Sequence, residues 1–374
     1  MPSWLKEGRG SLCGANVSLL LREMGITKPL LVAGERTKNV FFARTGMRLP
    51  VFDAFHPNPD LQDCVAGVAL YQEKGCDGLI SIGGGSAMDT AKGIKALLMT
   101  DIAHVRANQL PSEGNVPHLA IPGTAGTGAE TTAVAVLYEN GQKLSVDHPA
   151  LLPDGVLLDG SLLDTLPEYH RKSCAMDALA QGIESWWAKK ATPDSRIHAE
   201  RAIRGVLDNL TAYLQGDRKA QDEMLHAAYE SGVAILTTRT TAAHAMSYQI
   251  TKKLGAAHGH ACMLTLPHLW AHLAAQAEYQ PMLTELSRLL GGEKPMDGAI
   301  LLKGLLAVLE LDKIPMPDDA TLDMLAASVN PERLGNHPEA LTTAQLRAIY
   351  VQAFTPMTDT ERAEAIAAWE QYGK

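Results

Sequence analysis

Four short runs in the first 160 residues, 29–34 (PLLVAG), 78–83 (GLISIG), 118–123 (HLAIPG) and 155–160 (GVLLDG), are rich in Val, Ile and Leu and close on glycine. A run of this kind has no polar face to give to water, so as a strand it must be covered on both sides. Helical stretches such as residues 61–74 stand between the runs. Strands of this type alternating with helices predict a parallel, Rossmann-like sheet with helices on both faces. After about Leu166 the apolar residues recur at helical spacing instead, as in Met176, Leu179, Ile183 and Trp186. The expectation is therefore an α/β domain over residues 1–165 followed by an all-helical domain over 166–374. The passage 152–167 carries the last strand and the linker. Loop signals at 315–319 and 336–338 fall between helices and mark no third domain.

Composition narrows the function. The chain has 374 residues, and 33 Lys+Arg against 42 Asp+Glu give a formal charge of −9. That balance leaves no extended basic surface for nucleic acid or an anionic membrane, so the expected partner is a small molecule. Hydrophobic residues make up 46% of the chain but aromatics only 5%, so the interior must be mainly Ala, Leu, Val, Ile and Met. Five cysteines with no CxxC spacing predict neither a disulfide framework nor a zinc ribbon, and a reducing cytoplasm fits them. The N-terminal stretch carries charge where a signal peptide needs an apolar core, and no later segment reaches 18 uncharged apolar residues, so neither export nor a membrane span is expected.

Two turns offer a place for a dinucleotide. The run GLISI passes into Gly83, Gly84, Gly85 and Ser86, and then into an amphipathic stretch with Ala87, Ala91, Ile94 and Leu98 on one face. Glycines let the backbone approach phosphate oxygens closely, and the helix N-terminus supplies free N–H groups. Taken alone, GGGS is equally a tight turn that binds nothing; it is neither GxGxxG nor a P-loop. A second turn at residues 122–130 follows another predicted strand, and Thr124, Thr127, Thr131 and Thr132 bring hydroxyls to it. Two such turns at strand C-terminal ends form the crevice where open α/β sheets bind nucleotides. The first strand ends at Gly34 instead of an acid, which permits a ribose 2′-phosphate.

The helical half carries a metal-like constellation. Asp177 and Gln181 lie four residues apart on a helix expected from near Cys174, about 5–6 Å apart at Cβ, and Glu184 extends the stripe. The same stripe could equally be a solvated helix face. His244 and His258 would be about 21 Å apart on one unbroken helix, too far to share an ion. Gly255 breaks it. A helix over 241–254, a turn at 255–257 and a new helix from His258 would fold the imidazoles together. His268 and His272 form HxxxH without the glutamate of HExxH and read as structural, and His260 could reach the pocket without binding metal.

The residues of these segments resemble the iron-containing alcohol dehydrogenase family in family order and over essentially the whole chain. The stretches are GGGSAMDTAK (83–92) for GGGSxxDxAK, PGTAGTGAE (122–130) for TxGTGSE, MDALAQGIES (176–185) for the DxxxH helix, and HAMSYQITKKLGAAHGH (244–260) for the two later histidines. The resemblance implies a dehydroquinate synthase-like two-domain architecture. It implies Asp177, His244 and His258 as metal ligands with Gln181 at the fourth position, and Fe2+ as the ion, with Zn2+, Mn2+ or Ni2+ possible in the same ligands. It implies Gly84, Gly85 and Ser86 at the pyrophosphate with Asp89 beside them, and Thr124, Thr127 and Thr132 toward the nicotinamide. Lys143, Asn58 of the PNP turn, Gly34 and Leu162 complete the cofactor contacts, and NAD(P)H, leaning to NADPH, is the expected reductant.

Three departures matter. Gln181 replaces histidine with a neutral carbonyl oxygen, Ala129 replaces serine, and Tyr248 stands where the family often has a histidine. The proton donor is then Tyr248, a cofactor hydroxyl or water. DALAQGIESWW with HAMSYQIT looks like the phosphonoacetaldehyde reductase branch. This implies reduction of phosphonoacetaldehyde or a related phosphonate aldehyde to 2-hydroxyethylphosphonate, with Arg239, Lys252 and Lys253 as candidate cations for the phosphonate. A general short-chain alcohol dehydrogenase and a metal-dependent lyase of the dehydroquinate synthase type are the rival expectations. A homodimer, with the first apolar strand pairing between copies, is a further one.

Overall fold

The computed structural model describes residues 6–112, 114 and 116–372, so the first five residues of the charged N-terminal stretch lie outside the described residues. Its contacts divide the chain into Met1–Thr165 and Leu166–Lys374. Among the described residues the first unit has eight strands: β1 (Lys6–Arg9), β2 (Pro29–Ala33), β3 (Val51–Phe52), β4 (Gly78–Gly83), β5 (His118–Pro122), β6 (Val134–Glu139), β7 (Gln142–Asp147) and β8 (Gly155–Leu158). Six form one parallel sheet in the order β1-β8-β5-β4-β2-β3. Its helices are α1 (Gly14–Glu23), α2 (Glu35–Thr45), α3 (Leu61–Lys74), α4 (Gly85–Met99) and α5 (Ile102–Arg106).

The continuous apolar runs are explained by two cores. Leu30 and Val32 of β2 and Leu79 of β4 join one cluster with Leu61 and Cys64 of α3 and Ala91 and Ile94 of α4. The alternate residues Leu31, Ala33, Ile80 and Ile82 join another with Leu20 and Leu21 of α1 and Phe41 of α2. A period of two sends neighbours to opposite faces, and both faces are dry. Each such Leu or Ile side chain contributes about 1.5–3 kcal/mol by leaving water. The chain runs from β2 out to β3 and then returns past β2 to β4. Strand order therefore reverses between β2 and β4, and Gly34 and Gly83 end these two strands at that switch point. The first apolar strand lies inside the sheet of its own chain: β2 is hydrogen-bonded to β3 on one side, at Leu31 and Val32, and to β4 on the other.

The antiparallel hairpin β6–β7 has a signal that the search for continuous apolar runs passes over. Its turn is Asn140-Gly141, both at positive φ (51° and 74°), and β6 alternates buried and half-buried residues. Asn-Gly between alternating strands is a type I′ hairpin signature.

Among the described residues the second unit has no strand. Its helices are α6 (Glu168–Trp187), α7 (Pro193–Leu214), α8 (Arg218–Thr238), α9 (Ala242–Gln249), a π-helical turn (Ile250–Leu254), α10 (His258–Ala274), α11 (Gln280–Leu289), α12 (Asp297–Val308), α13 (Asp319–Ala327), α14 (Pro331–Leu334), α15 (Thr343–Phe354) and α16 (Asp359–Tyr372). The helix expected from near Cys174 starts six residues earlier, because Pro167 occupies its N-cap and a proline is well suited to the entry of a helix. α6 packs against α7, α8 and α10, so Asp177, Gln181 and Glu184 are 2%, 3% and 0% exposed and the solvated-face alternative does not hold. All five cysteines are unpaired, and no helix among the described residues is long and apolar enough to cross a membrane.

The loop after α14 carries a cost that pH reads out. His337 is fully buried edge-on against Trp187 at 5.7 Å, and neither ring nitrogen has a hydrogen-bond partner among the described residues. Burial pushes its pKa down to about 4, whereas in the unfolded chain the ring titrates near 6.5. The unfolded state therefore takes up a proton that the folded state refuses. Stability should fall as pH drops from about 6.5 toward 4, by up to about 1.4 kcal/mol per unit for this group. Urea midpoints of His337→Leu should fall less between pH 7 and pH 5 than those of the parent chain. Equal falls would show that the ring is protonated in place.

Candidate metal centre and glycine-turn site

Four side chains from three helices converge in the second unit. α9 unwinds into the π turn, Gly255 takes a left-handed φ of 75°, and His258 opens α10. This reversal brings the His244 and His258 rings to 5.2 Å, edge to face. His244 Nε2 lies 3.2 Å from Asp177 Oδ1, and His258 Nε2 lies 3.8 Å from the same oxygen. The sequence reading did not include Cys262, one turn along α10, whose Sγ is 3.8 Å from His258 Nε2. One donor atom from each of Asp177, His244, His258 and Cys262 lies within 4.8 Å of all the others. A tetrahedral ion with bonds of about 2.0–2.3 Å leaves its ligands about 3.3–3.8 Å apart, so the donor set fits a divalent cation. Gly259 makes the approach possible. A Cβ there would meet the Ser173 carbonyl and come within 2.7 Å of Asp177 Cβ and N.

The surrounding groups fix which nitrogens face inward. Glu184 Oε1 accepts from Thr241 N (3.0 Å), Thr241 Oγ1 (2.6 Å) and Ala243 N (3.0 Å), while Oε2 takes His244 Nδ1–H. A carboxylate on Nδ1 leaves the Nε2 lone pair for an ion. Ser247 Oγ donates to the His244 carbonyl at 2.8 Å, so toward His258 Nδ1, at 3.3 Å, it acts as acceptor, and Nε2 again points inward. Burial opposes charge on Asp177, yet His258 and His244 hold its carboxyl below the usual range. Burial likewise opposes the Cys262 thiolate, and the same two imidazoles pull the thiol down. Burial lowers His258, but Cys262 and Asp177 raise it to about 9. The four groups together draw positive charge into the space between them.

Of the other expected residues of this unit, Gln181 and Tyr248 touch the cluster. Gln181 turns its amide nitrogen toward Asp177 Oδ1 at 3.5 Å and accepts from Ser231 Oγ at 2.7 Å through its carbonyl oxygen. The Tyr248 ring stacks on His258 at 6.1 Å with planes 2° apart. Arg239 ends α8 at a left-handed φ of 63° and donates to the Leu236 carbonyl at 3.2 Å. Lys252 and Lys253 are exposed on the π turn. His260 is held by Tyr169 and the Leu311 carbonyl, and His272 pairs with Glu339; with His268, they lie outside the cluster.

In the first unit the two glycine turns adjoin. Gly83 takes φ 145°, Gly84 caps α4 without a side chain, and Gly123 N donates to the Gly83 carbonyl at 2.7 Å. A Cβ on Gly84 would meet Thr124 at 3.3 Å, and one on Gly85 would meet Thr127 at 3.8 Å. Asn58, at φ 57°, donates its N–H to Ser86 Oγ at 3.3 Å. Thr131 and Thr132 turn inward: Thr131 donates to Gly128 O, and Thr132 accepts from Lys92 Nζ at 3.2 Å. Lys92, buried and also bonded to the Ala129 and Val134 carbonyls at 2.7 and 2.9 Å, staples the second turn to α4. Burial raises the half-buried Asp89, against the charges of Lys92 and of Lys143 on β7. Gly34 caps α2 with nothing within 4 Å of a Cβ position, while Leu162 is 7% exposed in the cluster with Leu31 and Leu157.

Family models described as iron-containing alcohol dehydrogenase and as the C-terminal part of that family match residues 3–160 and 172–354. The chain belongs to the iron-containing alcohol dehydrogenase family. Among relatives, the probable alcohol dehydrogenase EutG of Escherichia coli is 34% identical over 250 residues, 65% of this chain and 60% of that protein. The phosphonoacetaldehyde reductase of Streptomyces viridochromogenes is 36% identical over 228 residues, 57% of this chain and 58% of that one. The aligned stretches thus span less than two thirds of either relative. The crystal structure of sulfoacetaldehyde reductase from Bifidobacterium kashiwanohense in complex with NAD+ superposes with a TM-score of 0.85 at 25% identity, covering 95% and 97% of the two chains.

Within this family member, Gly259 is the position whose change should separate packing from ligand chemistry. Gly259→Ala should cost about 1–3 kcal/mol and reduce bound metal, because α10 must back away from α6. Unfolding curves and metal analysis on one sample check this; an unchanged midpoint with full metal would show that the close approach is dispensable.

Proposed function

We propose that this chain reduces a small aldehyde to a primary alcohol with NAD(P)H, using a divalent cation held by Asp177, His244 and His258. The observation that carries the reading is the convergence of these donors, Asp177 and His244 buried and His258 36% exposed, with Glu184 directing His244 Nε2 inward. When bound, the ion supplies Lewis acidity toward the aldehyde oxygen, and the nicotinamide supplies the hydride. The chain's own groups do the rest. Glu184 and Ser247 hold the two imidazoles in one tautomer each, so no reorganisation is needed as charge develops. Tyr248, stacked on His258, is the candidate side chain for handing a proton to the nascent alkoxide, a cofactor hydroxyl or water being the alternatives. The Gly84–Ser86 amides at the start of the 15-residue α4 suit a pyrophosphate, with Thr124 and Thr127 beside them. Gly34 presents no carboxylate to repel a 2′-phosphate, which favours NADPH. Iron(II) is the ion that family membership favours.

The aldehyde we propose is phosphonoacetaldehyde, giving 2-hydroxyethylphosphonate. Two similar proteins are named for two-carbon aldehydes that end in a phosphonate or a sulfonate. Lys252 and Lys253 lie on the turn between the two histidines, and Arg239 precedes them at the end of α8. A dianionic tail needs cations, and these three are the candidates.

Asp177→Ala and His258→Ala should each lose bound metal and at least about a hundredfold in aldehyde reduction. Full turnover in a metal-free variant would sink the mechanism. In a panel of phosphonoacetaldehyde, sulfoacetaldehyde and uncharged aldehydes with both reduced cofactors, kcat/KM should be highest for phosphonoacetaldehyde with NADPH. Indifference to the anionic tail would favour a general alcohol dehydrogenase instead.

A further inference from the structure

We propose that Cys262 is a metal ligand: its thiolate joins Asp177, His244 and His258 in a four-donor site that takes the aldehyde oxygen as a fifth donor, and Gln181 stays outside that set as a positioning residue for Asp177. The proposal rests on the metal-centre reading above and deepens it.

The geometry argues for sulfur. Cys262 and His258 stand four residues apart on α10, on one face, and Sγ lies 3.8 Å from Nε2 of that histidine. That separation, like the 3.2 and 3.8 Å from Asp177 Oδ1 to the two imidazoles, is an edge of a tetrahedron around an ion with bonds of about 2.0–2.3 Å. The side chain is 0% exposed, so nothing from solvent competes for the sulfur. Gln181 is turned differently: its carbonyl oxygen lies 2.7 Å from Ser231 Oγ, away from the donors, and its nitrogen, which cannot bind a cation, faces Asp177 Oδ1 at 3.5 Å.

Charge argues the same way. Asp177 with two neutral imidazoles and an amide would leave a net positive charge on a buried divalent ion. A thiolate in place of the amide brings the donor charge to −2 and neutralises it, which removes most of the cost of burying the ion. A soft sulfur donor also moves preference toward zinc, cobalt and iron(II) and away from manganese.

The metal-stripped full-length chain, reloaded with Co2+, should show a thiolate-to-cobalt charge-transfer band in the near ultraviolet. Loaded with Zn2+, it should show one sulfur at about 2.3 Å by X-ray absorption. Cys262→Ser should abolish both signals and weaken Co2+ binding by tenfold or more, whereas Gln181→Ala should keep the band. One ion bound per chain with no sulfur signal would overturn the Cys262 assignment and leave the metal centre standing. Loss of the ion in Gln181→Ala with its retention in Cys262→Ser would also overturn it. Failure of the parent chain to bind Co2+ or Zn2+ at all would overturn the metal-centre reading as well.

Discussion

A carboxylate with no access to water organises the centre of the helical unit. Glu184, on α6, has its two oxygens occupied by five groups: the Thr241 amide and hydroxyl, the Ala243 amide, and the His244 amide and ring. Thr241 provides no side-chain cap of its own, so Glu184 caps α9 from a neighbouring helix. A buried anion without such partners would be too costly to keep. The same contacts that pay for it fix the start of α9, and with it the ring of His244. Asn336, donating to the Thr238 and Thr240 carbonyls at 2.7 and 3.1 Å, braces the approach to that helix.

Backbone freedom at two glycines then decides whether the donors meet. Gly255 allows the left-handed turn that ends the π-helical stretch, and without that reversal the two histidines would point along one rod. Gly259 lets the first turn of α10 lie against the backbone of α6 at Ser173 and Asp177. The same logic governs the sheet unit, where Gly83 at φ 145° and Gly123 let two turns touch backbone to backbone, and the buried Lys92 then ties them to α4. Negative overall charge is no obstacle to an anionic cofactor, because attraction is delivered locally by backbone amides and a helix end.

The sheet and the order of the helices were legible because their signals are local. Residues 61–74 and 78–83 are helix and strand at their predicted limits. Asp177, His244 and His258 were singled out as ligands by the family resemblance; the glycine break at Gly255 showed only that the two imidazoles could fold together. The β6–β7 hairpin was readable in its Asn-Gly turn, but its half-polar strands do not form a continuous apolar run. Cys262 was hidden for another reason: a cysteine on an apolar helix face looks the same whether it packs or binds. Gln181 and the threonines of the second turn were legible as residues near a site, but not as to where their polar atoms point.

The sequence by itself determined a doubly covered parallel sheet followed by a helical unit and the breaks that bend the chain. These follow from periodicity, glycine and side-chain chemistry, which act over a few residues. Only the tertiary structure decided that α6, α9 and α10 put Cys262 among the donors, turned the Gln181 carbonyl to Ser231, buried Thr132 against Lys92 and placed β2 inside the sheet. Those outcomes depend on which elements pack together far along the chain, and on the need of every buried polar atom for a partner that the sequence does not name.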